Sequence, residues 1–194
     1  MTGSRVGHDM YQRFVALIGS FRAVVAGIIA GLALAIMGAV PFAAAQELAA
    51  GSSSGLPVPR FVSLKPDKVN VRAGPTRNHD VAWQFTRSGL PVEITAESDN
   101  WRRIRDWEGS EGWVYHSLLS GRRTAMVISK HKDELVPLFG SADDHGAVLA
   151  RLQPGVQASV RKCTGKWCHI GGSGFDGWIA QERLWGVYPN ETVP

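Results

Sequence analysis

The phrase Trp101-Arg102-Arg103-Ile104-Arg105-Asp106, a glycine-bearing turn and Gly112-Trp113-Val114 comes back later in the chain. Its second appearance is Trp167-Cys168-His169-Ile170, a glycine-rich turn and Gly177-Trp178-Ile179. The leading tryptophans are 66 residues apart, and that offset runs backwards through Gly89/Gly155, His79/His145 and Gly74/Gly140. At the second tryptophan it becomes 65, so one residue is lost in the turn. A period of this size, with glycines and tryptophans superposing, marks a duplicated small domain. In 194 residues there is room for two such copies and little else.

The first 45 residues differ in kind. Arg5, Arg13 and Arg22 precede an uncharged apolar run from Ala23 to Val40, then Pro41 and the small residues Ala43-Ala44-Ala45. This is the pattern of a secretory signal over residues 1–45, cleaved after Ala45. The alternative is an uncleaved inner-membrane anchor over residues 23–40, since the run approaches the ~20 residues that span a bilayer. Both readings place the rest of the chain in an extracytoplasmic space, the periplasm.

Of 21 basic and 17 acidic residues, three and one fall within residues 1–45, leaving 18 against 16 and a net of +2. That balance excludes nucleic acid, whose binders present a concentrated basic face. Residues 46–60 read as a flexible linker, with Gly51-Ser52-Ser53-Ser54-Gly55 at its centre and Pro57 and Pro59 stiffening its end.

From Phe61 the chain is punctuated into short strands. Val69 to Arg72 runs into the turn signal Ala73-Gly74-Pro75. Val81 to Thr86 leads to Ser88-Gly89, and Val92, Ile94 and Ala96 alternate with Glu93, Thr95 and Glu97 as in a half-buried strand. Trp101 to Asp106 and Gly112 to Tyr115 follow, with a helical turn around residues 116–119 and a last strand over residues 123–129 that closes the barrel. The second copy repeats the scheme. Short strands at this spacing with no amphipathic helix predict an all-β fold of two small barrels, 61–125 and 126–190, in contact through the connection at residues 120–130. Each copy, at about 60–65 residues, is near the lower limit for a self-sufficient core, and the seven tryptophans are expected to fill it.

Asn70-Val71-Arg72-x-Gly74-Pro75, Pro91-Val92, Trp101-x-x-Ile104 and Gly112-Trp113-Val114 together resemble the bacterial SH3 domain. The divergent second copy, with Asp176-Gly177-Trp178 and the tail from Trp185 to Pro189, is similar to a tandem class from Gram-negative envelopes. The resemblance covers residues 61–190. It implies two SH3-like barrels and a targeting module that recognises cell-wall peptide or an envelope protein. Such modules are often fused to wall hydrolases; this chain has no room for one, which implies a stand-alone adaptor.

Gly172-Ser173-Gly174-Phe175-Asp176-Gly177 fits a dinucleotide fingerprint as a string, but it leads into a strand instead of opening a helix. It reads as a hairpin turn, and no cofactor is expected. Cys168 beside His169 is the one apparent nucleophile pair, yet neighbouring strand residues point to opposite faces. The same geometry defeats a zinc site. No catalytic or metal residues are therefore assigned. His79 and His145, at the same repeat position, read as polar loop.

Cys163 and Cys168 flank a hairpin tip in an oxidising compartment and are expected to form a disulfide. A four-residue turn sets them opposite one another. Aligning Val160 with Ile170, as Ile94 aligns with Ile104, instead puts the sulfurs on opposite faces unless a bulge intervenes.

The candidate ligand residues are Arg72, Trp107 and Tyr115, which sit at strand ends or on loops of the first copy, where a peptide carboxylate can meet the guanidinium. Trp83, matched to Leu149 by the offset, is expected to be buried. The functional expectation is an exported, non-catalytic adaptor of the cell envelope. Its alternative is a structural protein anchored by residues 23–40, the only circumstance in which a membrane is a partner.

Overall fold

The computed structural model describes residues 49–50, 53–131 and 133–194. The expected signal or anchor over residues 1–45 lies outside them. Among the described residues no helix is long and apolar enough to cross a membrane. Gln46–Pro194 forms one compact unit.

Within that unit β1 (Ala49–Ala50) pairs with β2 (Pro57–Val58). The first barrel comprises β3 (Arg60–Leu64), β4 (Val69–Arg72), β5 (Val81–Phe85), β6 (Pro91–Ser98), β7 (Trp101–Arg105), β8 (Glu111–Tyr115) and β9 (Leu119–Ser120), in the spatial order β5-β4-β8-β7-β6-β3-β9. A 3-10 turn, His116–Leu118, precedes β9 at the place expected. The second barrel comprises β10 (Thr124–Val127), β11 (Val136–Phe139), β12 (Val148–Leu152), β13 (Gln157–Thr164), β14 (Trp167–Gly172), β15 (Phe175–Ala180) and β16 (Leu184–Trp185), with β17 (Thr192–Val193) added to β13. Its order, β12-β11-β15-β14-β13-β10-β16, repeats the first strand for strand. The fold is all-β and duplicated, as the repeat predicts.

Register shows that the offset is less uniform than the glycines imply. Val62 faces Val92 and Ala125 faces Ala158, so the first strands are 63 apart while their partners are 66 apart. Val69 faces Phe85 and Val136 faces Leu152, an offset of 67. Ile94 with Ile104 and Val160 with Ile170 restore 66. Each change is absorbed in a loop, where no ladder fixes the count. Two expectations shift with this. The strand expected to close the first barrel, at residues 123–129, is β10 and belongs to the second, pairing with β13 and β16. Trp83 corresponds to Ala150, not Leu149, and is half-buried instead of buried.

The cores are aliphatic. Leu64, Val69, Val71, Val92, Ile94, Ile104 and Val114 fill the first, and Val127, Val136, Leu138, Ile170 and Ile179 the second. None of the seven tryptophans is fully buried, which corrects the expectation that they fill the cores. Alternation is the cause: Arg102 and Ile104 point inward on β7, so Trp101, Arg103 and Arg105 point outward. The same holds on β8, where Gly112 and Val114 are buried and Trp113 and Tyr115 lie on the outer face.

The linker expected over residues 46–60 gives way at Ser53. The backbone N–H groups of Ser53 and Ser54 donate to Glu97, and Arg60 opens β3 while reaching both Glu97 and the Pro57 carbonyl. Composition permits flexibility, but a buried carboxylate recruits these donors.

The two barrels touch through more than their connection. Phe61 of the first packs against Trp185 and Tyr188 of the second barrel's tail, with ring centroids 5.0 and 4.7 Å apart. The Tyr188 hydroxyl donates to Glu93 at 2.9 Å, and Gln157 donates to the Ser88 carbonyl. Burial and then the Glu93 carboxylate push the Tyr188 phenol far above its ordinary range, so it stays a donor.

The disulfide Cys163–Cys168 is present. Both readings of its register hold, because a bulge at Arg161 separates the Val160–Ile170 pair from Lys162–His169 and Cys163–Cys168. The first copy carries the same bulge at Thr95, which brings Glu97 opposite Arg102 at the equivalent positions. The bridge closes a loop only five residues apart in sequence, worth about 2 kcal/mol on chain entropy. Reduction is therefore expected to lower the urea midpoint modestly and to loosen β17, which pairs with Cys163, without unfolding the barrel. Complete loss of the cooperative transition in dithiothreitol would contradict this.

Candidate functional site

The outer face of β5-β4-β8-β7 is where the first barrel gathers polar and aromatic side chains. Asn70 and Arg72 point outward from β4 because Val69 and Val71 point inward. Trp101 from β7 and Tyr115 from β8 are cross-strand partners, with rings edge-on at 5.5 Å. Gln84 on β5 donates to Asn70 at 2.6 Å. Arg77, from the loop after β4, sits 5.8 Å over the Tyr115 ring, within cation–π range. With Lys68, Ser117 and Leu118 these residues bound a depression of about 560 Å³.

Two of the three expected ligand residues meet here. Arg72 and Tyr115 both line the depression. Arg72 also donates to the His79 carbonyl at 2.7 Å and so holds the loop that carries Arg77. Trp107 lies elsewhere: its ring packs on Phe85, 6.3 Å between centroids, against the first core. Lys68, Arg77 and Gln84 are not among the residues expected from the sequence, and Asn70 and Trp101 enter there only as motif residues, not as ligand candidates. The signal was available, since residues 68, 70 and 72 share a strand face, as do 101, 103 and 105.

The histidines do not form a repeated pair. The Ala73 amide donates to the Asp80 carbonyl as that of Gly140 does to Ala147, an offset of 67, so His79 corresponds to Gly146 and His145 to Asn78. His79 bonds Thr76, whereas His145 is exposed beside Asp144. The cysteines supply no nucleophile, because both are in the disulfide. His169 points away from them, as alternation requires. It stacks on Trp178 at 5.1 Å and bonds Asp176 at 2.9 Å. Among the described residues no group of histidine, cysteine or carboxylate side chains could hold a metal ion.

The equivalent face of the second barrel has other occupants. Phe139 pairs with Trp178 as Arg72 pairs with Trp113, so it stands where Arg72 does, and its ring is edge-on to Trp167 at 5.6 Å. The arginines at 102, 103 and 105 do not form a site. Arg102 is buried beside Glu97, and Arg103 and Arg105 are paired with Glu111 and Glu93.

Residues 65–121 and, again, 132–186 match the bacterial SH3 domain. Among solved structures, NlpC2 from Trichomonas vaginalis is similar at 13% identity over 66% of this chain and 48% of that one, with a TM-score of 0.29. NlpC1 from the same organism is similar at 15% identity over 71% and 48%, also with a TM-score of 0.29. The endolysin LysPBC5 CBD is similar at 18% identity over 65% and 91%, with a TM-score of 0.27. The chain spans about half the length of the two Trichomonas structures. No curated protein matches it.

Proposed function

The chain belongs to the bacterial SH3 domain family, and from that premise we propose that it is an exported, non-catalytic binding protein of the cell envelope, whose first barrel engages cell-wall peptide. The observation that carries the reading is the depression on the outer face of β4, β8 and β7, where Arg72, Arg77, Trp101 and Tyr115 converge. Aromatic rings beside cations and amides offer both stacking surface and directed donors, the combination that holds a polar ligand without reacting with it. The locked cysteines and His169's outward orientation agree with binding instead of turnover. The basic start and apolar run before Ala45 support export.

Co-sedimentation of residues 46–194 with purified peptidoglycan tests this. Retention is expected for the wild type and for Lys162→Ala, an exposed change on the second barrel. Tyr115→Ala and Arg72→Gln are expected to reduce it at least fivefold. Trp107→Ala, whose ring sits on Phe85, is expected to lower stability and keep retention. Absence of retention at micromolar protein would favour a structural spacer, and release of soluble wall fragments would make the protein an enzyme.

A further inference from the structure

We propose that the groove of the first barrel selects ligands carrying free carboxylates, and that among the described residues it is the single site of this kind, its counterpart on the second barrel being closed. The inference rests on the wall-binding reading and names the chemical class of that ligand.

Three cations, Lys68, Arg72 and Arg77, line the depression, and no aspartate or glutamate does. Elsewhere on this barrel Arg60, Arg102, Arg103 and Arg105 each have a carboxylate within ion-pair distance. Among the described residues no ion pair involves Lys68, Arg72 or Arg77. Converging like charges are unfavourable until an anion joins them. An Arg–carboxylate contact supplies directed, charge-assisted hydrogen bonds as well as charge.

The neighbours of these cations select a peptide. Gln84 donates to Asn70, which leaves the Gln84 carbonyl and the Asn70 amide hydrogens to read a peptide group. The Trp101 and Tyr115 rings offer flat apolar surface beside them. A phosphate polymer needs none of this and is held by many cations spread over a face. Residues 46–194 carry a net of only +2.

The second barrel has every element of the groove but little of its chemistry: it keeps one ring, Trp167 for Trp101, and carries Arg151 in place of Gln84. With the register offset of 67, Lys68, Asn70 and Arg72 become Leu135, Pro137 and Phe139, and Arg77 becomes Asp144. Tyr115 becomes Ala180, since Trp101 pairs with Tyr115 and Trp167 with Ala180. Phe139 is 9% exposed and fills the slot against Trp167. Charge is lost or reversed at each cationic position. The duplication therefore yields a monovalent binder, with the second barrel as a support.

The test is an amide NMR titration of residues 46–194 with the stem tetrapeptide cleaved from peptidoglycan, in its free form and with its carboxylates amidated. Saturable shifts are expected at Asn70, Arg72, Trp101 and Tyr115, and none at Leu138, Phe139, Trp167 or Ala180. Amidation is expected to weaken binding at least tenfold. Arg72 holds a loop carbonyl, so the deciding variant is Lys68→Gln/Arg77→Gln, which is expected to weaken the free peptide tenfold and leave the amidated one unchanged. Equal affinity for both forms, or equal shifts on the second barrel, overturns the proposal even where the wall is still retained. Absence of shifts with either peptide, beside intact sedimentation, assigns binding to the glycan and also overturns it. Polyphosphate binding tighter than the free peptide does the same.

Discussion

Glu97→Ala is expected to destabilise the first barrel by about 3–5 kcal/mol, more than loss of the disulfide costs at the matching place in the second. The Glu97 side chain is 0% exposed and is met by Arg60 at 2.7 Å and Arg102 at 3.2 Å. The Ser54 hydroxyl donates to it at 2.6 Å, and the Ser54 and Ser53 amides at 2.8 and 3.2 Å. A buried ion pair contributes little net stability against an apolar substitute, but removing one partner leaves the other charge buried without compensation. Arg102, with a side chain 9% exposed, would keep only the carbonyls of Asp99 and Trp101. Urea unfolding followed by tryptophan fluorescence measures the loss, and a change below about 1 kcal/mol would count against the network's importance.

The same carboxylate sets an acid limit. Burial alone would raise the Glu97 carboxyl, but the hydrogen bonds from Ser54 and Arg60 outweigh it and hold the pKa at about 2, against an ordinary 4.5. A depressed folded value means the contribution is fully present above pH 4.5 and is lost as the pH falls through about 2. The difference amounts to roughly 3 kcal/mol. Glu97→Ala should flatten the stability profile across that window. Release of Ser53 and Ser54 should accompany acidification, because their amides bind the same oxygens.

What the sequence made legible follows from which constraints are local. Strand alternation and repeated Gly-Trp pairs fix the barrel count, the strand faces and the hairpin that carries the disulfide, since a ladder transmits register from one strand to the next. Loops transmit nothing. The histidines do not align because the offset rises from 63 to 67 between β3 and β4 and falls to 66 only before Gly89, which leaves Gly89 and Gly155 aligned while His79 and His145 are not. The tryptophans misled for a different reason. Their size argued for a core, but position on the strand decides the face, and Trp101 and Trp113 alternate with Ile104 and Val114. Arg72 and Tyr115 are legible as strand-end residues and Lys68 by its spacing from Asn70 and Arg72, whereas Arg77 needs the fold to bring its loop over Tyr115. The strap at Ser53 and Ser54 was hidden because its partner, Glu97, lies 43 or more residues away in the chain.

Gly177→Ala is expected to cost about 3 kcal/mol, and the matching Gly112→Ala about half as much. These glycines precede the repeated tryptophans, where β15 crosses β11 and β8 crosses β4. A Cβ on Gly177 would lie 2.7 Å from the Phe139 carbonyl oxygen and 3.0 Å from Leu138 Cγ. The nearest obstruction is backbone, so relief requires the strands to part, breaking the Phe139–Trp178 ladder. On Gly112 the closest atom is a Val71 methyl, then the Trp83 ring at 3.0 Å and the Arg72 carbonyl at 3.1 Å, so relief begins with side-chain movement instead of parting two strands. The asymmetry is measurable as the ratio of the two losses in urea, and equal losses would place the obstruction elsewhere. Gly177→Ala also displaces Phe139, the ring that closes the second groove against Trp167. Around that slot Leu135 and Asp144 are already exposed and a single cation, Arg151 at the Gln84 position, stands in place of three, so the variant is expected to gain no affinity for an acidic peptide. A gain would mean that shape alone, without Lys68, Arg72 and Arg77, suffices for binding.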